Sequence, residues 1–325
     1  MRFSFLGTAS VALGALSGLG PVAAQSQQAF PTAPVRIVVP YTAGGPGDVL
    51  ARALGDGLSQ RWKQPVIIDN RPGADEMLGA DAVAKAPRDG HTLFLGTDQA
   101  LVLNSLLHAK VPYDVEADFV PVSRVSVANL FLAVPVTSAV KTAAEFVAKA
   151  RAEPGTMTYG WTGVSRFAMV QFAQVAGISV NYVGYKGFSA LLPDLIAGRL
   201  DSSMAVQAGV LGMVKEGKLR ALAVTGPKRS SALPDVPTFA EAGYPGFNMA
   251  INFGLVAPAR TPLAVVDKIA ADVREVMRNP DLETKTLVPL GLNVVDDSPA
   301  KFAAFLREER KAAAEGAKQA EIRPE

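Results

Sequence analysis

The sequence predicts an α/β fold with two lobes, each built on a mostly parallel sheet flanked by helices, and a two-strand hinge between them. Short apolar strands alternate with helices over residues 35–97 and again over residues 142–224. Such alternation favours parallel strands joined by right-handed crossovers. Two further strand-like runs, residues 120–136 and 249–256, have no helical period, and we interpret them as two crossings between the lobes. This division assigns residues 25–125 and 252–325 to lobe 1 and residues 126–251 to lobe 2.

The composition indicates a globular chain with enough apolar residues for two cores. The chain has 325 residues, of which 49% are hydrophobic, and a chain of this size can bury most of its apolar surface. Its 32 basic and 30 acidic residues nearly balance, and no basic stripe indicates a nucleic-acid partner. Cysteine is absent, which excludes disulfides, thiolate metal ligands and cysteine nucleophiles.

Residues 1–24 have the three parts of a secretory signal peptide. Arg2 provides the positive start, residues 3–19 are apolar or small, and residues 22–24 form a small-residue cleavage site. We therefore expect cleavage after Ala24 and export of the mature chain. No later stretch approaches ~20 uninterrupted apolar residues, so the sequence predicts no transmembrane helix.

The other elements follow from the same periodicities. In the first half we expect strands at 35–39, 65–68 and 92–95, a helix with the buried stripe Leu50, Leu54, Leu58 and Trp62, and a helix at 77–86. In the second half we expect strands at 157–159, 180–185, 201–206 and 219–224, with helices at 142–152, 167–176, 190–197 and 209–215. The C-terminal part is predicted to contain helices at 262–277 and 281–287, a strand at 292–295, and a final helix that buries Phe302, Phe305 and Leu306.

A glycine-rich loop between the first strand and the first helix is a candidate anion-binding site. Glycines at positions 44, 45 and 47 let a ligand approach the backbone, and the N–H groups and dipole of a helix start attract carboxylates and phosphates. A dinucleotide-binding loop would need glycine where this chain has Leu50. An ordinary strand-to-helix turn is the alternative. The candidate residues are Tyr41, Thr42, Ala43, Gly44 and Gly45.

The loop at residues 160–165 repeats this design in the second lobe, between a strand and a helix. Because ligands of α/β sheets bind beyond the carboxyl ends of the strands, Thr97 and Asp98 in the first lobe are also candidates. Phe188 and Ala205 could line the far side of the same gap. The candidates in the second loop are Trp161, Thr162, Gly163, Ser165 and Arg166.

Four stretches of the chain occur in an order typical of one family. They are residues 37–45 (IVVPYTAGG), 70–74 (NRPGA), 218–225 (KLRALAVT) and 233–238 (LPDVPT). Together they resemble the periplasmic substrate-binding proteins of tripartite tricarboxylate transporters, also called Bug receptors. The resemblance implies a two-lobed, Venus-flytrap fold in the periplasm. It also implies that loops 41–45 and 160–165 hold a small organic carboxylate between the lobes, partly through ordered waters.

The chain departs from the family pattern mainly in the binding loops. Family members commonly carry glycine where this chain has Asp75 or Glu76, a small residue at Trp161, glycine at Ser165, a small polar residue at Arg166 and often histidine at Ala168. The ligand class therefore stays open between dicarboxylates, amino acids and aromatic acids.

Several of these side chains have two interpretations. Arg166 could form a bidentate pair with a distal carboxylate or face solvent. Trp161 could stack on a planar ligand or pack as a lid on the other lobe. Asp75 could receive an ammonium group or serve the dipole of the next helix. We expect Asp48 to cap its helix rather than to bind ligand.

The resemblance implies a receptor that closes on a small organic carboxylate and delivers it to integral-membrane transporter subunits. A ligand-presenting protein for a membrane sensor would close in the same way. A secreted enzyme is the third alternative, although His91 and His108 lie in different units, without a neighbouring nucleophile or metal-ligand spacing. We expect no catalytic residue, no cofactor, no metal and no nucleic-acid partner, and we expect a monomer in the periplasm.

Overall fold

The computed structural model describes residues 30–185, 187–247 and 249–319, together with Met1 and Pro324. Apart from Met1, the predicted signal peptide and its cleavage site lie outside these residues. The described chain forms the predicted α/β fold with two lobes.

Ten strands and twelve helices are found in the described residues. The strands are β1 (Val35–Val39), β2 (Val66–Asn70), β3 (Thr92–Thr97), β4 (Phe119–Pro135), β5 (Thr158–Trp161), β6 (Asn181–Gly184), β7 (Ser202–Val206), β8 (Leu219–Val224), β9 (Ala250–Pro258) and β10 (Leu292–Val294). The helices are α1 (Pro46–Trp62), α2 (Met77–Ala84), α3 (Asn104–Leu107), α4 (Val115–Asp118), α5 (Ala143–Ala152), α6 (Ser165–Ala176), α7 (Phe188–Ile196), α8 (Gln207–Lys215), α9 (Leu263–Met277), α10 (Pro280–Leu282), α11 (Val288–Leu290) and α12 (Pro299–Gln319). Across the described ranges, no helix combines the length and the apolar character that a membrane span requires.

The long strand β4 connects the two lobes. Its residues 119–129 pair with β9, and its residues 130–135 pair with β7 and β8. We call the part built on β1–β3, β9 and β10 lobe 1, and the part built on β5–β8 lobe 2. Because β4 leaves lobe 1 and β9 returns to it, these two strands are the predicted hinge.

The parallel pairing predicted for each lobe is found in its strand–helix–strand units. In lobe 1, β1 pairs in parallel with β2 and β3, and in lobe 2, β5 pairs in parallel with β6 and β7. Every antiparallel pairing between the described strands involves β4 or β9. The sheet of each lobe is therefore mixed, because the outgoing and returning hinge strands run side by side in opposite directions.

Helices cover both faces of the lobe 1 sheet. On one face, α1 and α9 pack over a core in which Leu50, Leu54 and Leu58 are fully buried, as their spacing along a helix predicts. On the other face α12 buries Phe302. Phe305 is only half-buried, and the Arg124 guanidinium lies 3.9 Å from the centre of its ring.

The two lobes contact each other through α6. Val164, just before this helix, and Phe167, in its first turn, are buried in an apolar cluster with lobe 1 residues that include Leu103, Phe302 and Ala313. The described conformation therefore packs the start of α6 against the C-terminal helix α12.

Two π-helical segments were not predicted. Residues 281–287, expected to be one helix, begin in α10 and continue as a π-helical segment, Glu283–Leu287. A second π-helical segment, Gln99–Leu103, directly follows β3. Such segments are rare and often occur at functional sites. Here the second one positions Gln99 at the carboxyl-end edge of the lobe 1 sheet.

Candidate functional site

The loop between β1 and α1, residues 41–47, is held in place by Asp48. The buried Asp48 carboxylate accepts hydrogen bonds from the Gly44 N–H at 2.9 Å, from Asn70 Nδ2 at 2.8 Å and from the Arg52 guanidinium. Burial alone would raise the pKa of Asp48, but these hydrogen bonds and the Arg52 charge hold it below the ordinary value. The N-cap of α1 is Gly45, without a side-chain capping bond, so the prediction that Asp48 caps the helix was wrong. Asp48 instead supports the loop from the first turn, and the Gly44 N–H that it engages is not free to bind a ligand.

Other donors of the loop remain available to a ligand. Thr42, Ala43 and Gly44 are exposed, and Gly45 is half-buried. Within the described chain, the N–H groups of Gly45 and Gly47 have no hydrogen-bond partner, although Gly47 is buried beside the Tyr41 ring. Because these groups stand at the start of a 17-residue helix, the positive end of its dipole adds to their attraction for an anion.

Glu76 ties this loop to the end of β3. Its buried carboxylate accepts hydrogen bonds from Tyr41 Oη at 2.8 Å and from both the N–H and the hydroxyl of Thr97. Burial raises the pKa of Glu76 despite these hydrogen bonds. The predicted site residues Tyr41 and Thr97 are therefore joined through a side chain that was not itself among the predicted site residues.

Asp75 lies beside Glu76 but points outward. Its carboxylate is exposed and lies 3.2 Å from His108 Nε2, and its carbonyl oxygen accepts a hydrogen bond from Asn104 Nδ2 at 2.8 Å. The first turn of α2 contains no acidic residue, so neither Asp75 nor Glu76 serves the helix dipole in the expected way.

The lobe 2 loop, residues 160–165, is closed by its own serine. Ser165 Oγ accepts a hydrogen bond from the Thr162 N–H at 3.0 Å, and the Ser165 carbonyl accepts one from Tyr159 Oη at 2.7 Å. Gly163 has φ +47°, a backbone conformation that favours glycine. In the described chain the N–H groups of Gly163 and Val164 have no partner, so the start of α6 also offers free donors.

The remaining lobe 2 candidates separate into two groups. The Arg166 guanidinium lies 5.1 Å from the centre of the Trp161 ring, close enough for a cation–π contact. Phe188 and Ala205 instead belong to an apolar cluster with Leu191 of α7, where Phe188 packs against α8. This packing gives Phe188 and Ala205 a role in the core of lobe 2.

The two lobes approach each other where Gly163 faces Gln99. A Cβ atom built on Gly163 would lie 3.8 Å from Gln99 Oε1. Gln99 follows directly on Thr97 and Asp98, so the edge of the lobe 1 sheet meets the lobe 2 loop here. Gln99 was not among the residues predicted for the site. Its position just after a strand end makes Gln99 a recognisable candidate in the sequence. The direction of its side chain, however, depends on residues that are distant in the chain.

Asp98 faces the hinge. Asp98 Oδ2 accepts hydrogen bonds from the N–H of Asn252 at 2.7 Å and from its Nδ2 at 3.0 Å. Burial raises the pKa of Asp98 to about 7 against these hydrogen bonds, and the charges of Glu309 and Glu76 act in the same direction as burial. Asp98 also lines a cavity of about 1040 Å³ beside the hinge, between α6 and α12. None of the other predicted site residues lines that cavity within the described chain.

The chemistry of these loops suits the binding of an anion. Among the described residues, no group of three or more histidine, aspartate or glutamate side chains could hold a metal ion. The free groups at the two loops are backbone donors at helix starts, which bind anions without a charged side chain. Two lobes on a two-strand hinge, with such a loop at the inner edge of each, define the class of two-lobed solute-binding proteins.

Comparison with known proteins agrees with this class. The family model of the tripartite tricarboxylate transporter family receptor, TctC, matches residues 50–319. The chain belongs to this family of periplasmic solute receptors, which confirms the resemblance seen in the sequence. The match begins after the lobe 1 loop, so residues 41–45 lie outside it.

Similar proteins include one relative in Bordetella pertussis and two solved structures that contain a ligand. Protein BugT of Bordetella pertussis is 30% identical over 309 residues, which cover 94% of this chain and 91% of BugT. The structure of R. palustris Rpa4515 with adipate has a TM-score of 0.83 and 32% identity, covering 91% of this chain and 100% of that one. MatC from Rhodopseudomonas palustris with bound malate has a TM-score of 0.77 and 29% identity, covering 88% of this chain and 99% of that one. These structures confirm the two-lobed fold.

Proposed function

We propose that this receptor binds a small organic carboxylate in the gap between its lobes and delivers it to a membrane transporter. The observation that carries the proposal is the approach of Gly163 to Gln99, at the gap between the two glycine loops. In this proposal the acid group is held by residues 41–45, Thr97 and residues 161–166. Residues 25–125 with 252–325, and residues 126–251, act as the two closing lobes.

Backbone donors suffice for such a ligand. Each helix start contributes typically ~0.3–1 kcal/mol to the binding of a negative charge, and ordered waters can bridge the remaining distance. The adipate of Rpa4515 and the malate of MatC are both small carboxylates, which supports the same ligand class here. Export to the periplasm after cleavage at Ala24 and a monomeric state belong to the proposal as well.

A thermal-shift panel tests the carboxylate proposal. The mature chain is heated with dicarboxylates, tricarboxylates, amino acids and aromatic acids. A ligand at ~100 times its Kd should stabilise the native state by about 2.7 kcal/mol. If none of these acids changes the melting temperature, the proposal is wrong.

A matched pair of glycine variants locates the site. Gly163→Ala and Gly155→Ala both introduce a methyl group at positive φ, +47° and +74°, with a side-chain oxygen 3.8 Å and 3.9 Å from the new atom. Both should lose about 1 kcal/mol of stability. Only Gly163→Ala should also weaken carboxylate binding, because Gly155 lies in a turn away from the gap. Equal affinity in the two variants would contradict the proposed site.

Delivery is tested in cells. Deletion of the gene should abolish uptake of the radiolabelled acid that the panel identifies, and the wild-type gene should restore it. Unchanged uptake together with loss of a transcriptional response to the acid would instead favour the ligand-presenting role.

A further inference from the structure

The Gln99 side chain holds an unpaired, buried hydrogen-bond acceptor at the point where the two lobes approach each other. Gln99 is 5% exposed. Its Nε2 donates to Asn104 Oδ1 at 2.7 Å, while its Oε1 has no hydrogen-bond partner among the described residues. Oε1 is also the atom that faces Gly163 across the gap. A buried polar atom without a partner is rare in folded proteins.

Neighbouring hydrogen bonds fix which end of the amide faces the gap. Tyr113 Oη donates to the carbonyl oxygen of Ala100 at 2.9 Å, so it must accept the bond from Asn104 Nδ2 at 3.0 Å. Asn104 Nδ2 donates its other proton to the carbonyl oxygen of Asp75 at 2.8 Å. Both backbone oxygens can only accept, so Asn104 must turn Oδ1 towards Gln99.

The Gln99 amide therefore cannot rotate by 180° without losing its hydrogen bond to Asn104. A rotated amide would set its Oε1 against Asn104 Oδ1, and two acceptors repel each other. The network thus holds an obligate acceptor at the point where the lobe 2 loop approaches. An ionised carboxylate only accepts hydrogen bonds, so it cannot pair with Oε1, whereas a hydroxyl or an ammonium group can.

We propose that Gln99 Oε1 selects acids that carry a hydroxyl or ammonium group beside the carboxylate, in preference to the unsubstituted acids. This inference rests on the proposed function, because it deepens the ligand class of the same gap. In it, the helix starts hold the carboxylate, Gln99 accepts the donor of the substituent, and Asn104 is a positioning residue that acts through Gln99. A site built to pair a ligand hydroxyl or amine discriminates strongly against the analogue that lacks it.

The test compares matched acids on the mature wild-type chain by isothermal titration calorimetry. Succinate, malate and aspartate form one set, and glutarate, 2-hydroxyglutarate and glutamate form the next. Within the set whose length fits, a substituted acid should bind at least about tenfold tighter than the unsubstituted one. Equal affinities within that set would overturn the inference and leave the carboxylate function standing. If no acid of either set or of the thermal-shift panel binds, both this inference and the proposed carboxylate function are wrong.

Gln99→Met supplies the decisive variant, because it keeps the length of the side chain and removes Oε1. It should weaken the substituted acid about tenfold and leave the unsubstituted acid within about threefold. Gln174→Met, the same change at an exposed position of α6, should change neither affinity. A parallel loss for all acids in Gln99→Met would show a purely structural role and would overturn the inference.

Asn104→Leu tests the positioning role. It frees the Gln99 amide to rotate, so aspartate, whose ammonium group only donates, should lose more affinity than malate, whose hydroxyl also accepts. Equal losses for aspartate and malate would contradict the assignment of Asn104. Binding of succinate and the far-ultraviolet circular dichroism spectrum report whether the variant is folded.

Discussion

At the residue scale, buried carboxylates organise the edge of the lobe 1 sheet. Glu76 joins Tyr41 of the β1–α1 loop to Thr97 at the end of β3, and Asp98 joins the next position to Asn252 in the hinge. A buried carboxylate loses its hydrogen bonds to water, which costs free energy unless protein donors replace them. Glu76 and Asp98 each have such donors. The loops that could hold a ligand are therefore fixed by charges that do not need to touch it.

Replacing Glu76 should be far more costly than replacing its neighbour. Glu76→Ala leaves the buried Thr97 N–H without an acceptor, which we expect to lower the free energy of unfolding by about 1–3 kcal/mol. Asp75→Ala removes an exposed contact with His108, and such pairs contribute about 0–1 kcal/mol. Urea denaturation of both variants measures the difference. Equal destabilisation would contradict the role assigned to Glu76.

Asp98 should make the protein less stable as the pH rises. Its pKa is raised from 3.8 to about 7 in the folded state, so its contribution to stability is fully present below about pH 4 and is lost as the pH rises to about 7. The melting temperature should therefore fall between about pH 4 and about pH 7. In Asp98→Asn, which cannot ionise there, the fall should be smaller. Part of it should persist, because the pKa of Glu76 and that of Glu309 are also raised by burial.

The control for this experiment is Asp48, an acidic residue whose pKa is shifted in the opposite direction. Hydrogen bonds to Asp48 outweigh its burial and lower its pKa, so Asp48 contributes stability above its ordinary pKa and loses it only in acid. Asp48→Asn should leave the slope between about pH 5 and about pH 7 unchanged. An unaltered slope in Asp98→Asn would show that other groups carry the pH dependence.

At the element scale, local periodicity predicted more than distant contacts did. The stripe from Leu50 to Trp62 follows from helical spacing alone, and the structure buries it. The burial of Glu76 depends on donors 21 and 35 residues away in the chain, which no local pattern contains. The occupied N–H groups of Gly44 and Thr162 were missed although Asp48 and Ser165 lie only four and three residues on.

The start of α6 is the element that should respond to opening of the lobes. Phe167 is buried against lobe 1 residues, whereas Phe172, on the same helix, is buried within lobe 2. Phe167→Ala should therefore weaken closure, with a larger radius of gyration in small-angle X-ray scattering and lower ligand affinity. Phe172→Ala should instead lower the free energy of unfolding by about 3–5 kcal/mol, as core truncations do.

These two variants separate closure from folding. The contact of Phe167 can be lost by rotation about β4 and β9 without unfolding either lobe, so its truncation should cost less in urea denaturation than that of Phe172. If Phe167→Ala destabilises the fold as much as Phe172→Ala and leaves the scattering unchanged, the lobes do not separate along α6.

At the scale of the whole molecule, the two-lobed architecture was predictable because the chain crosses between lobes in long apolar strands. The mixed pairing of the strands was not predictable, because the composition of β4 and β9 does not show which strands lie beside them or in which direction those strands run. β4 changes partners between Asn129 and Leu130. Motion between the lobes must therefore pass through this stretch of β4 and through the adjoining end of β9.

The absence of cysteine from the chain makes that motion directly measurable. Spin labels on Leu263→Cys in lobe 1 and Val136→Cys in lobe 2 occupy exposed positions, and double electron–electron resonance reports the distance between them. A carboxylate that binds should narrow the distance distribution and shift it towards one closed form, because a ligand stabilises the conformation it binds best. Labels on Leu78→Cys and Leu263→Cys, both in lobe 1 and exposed, should show no change. An interlobe distribution that stays the same at saturating ligand would contradict closure by the hinge.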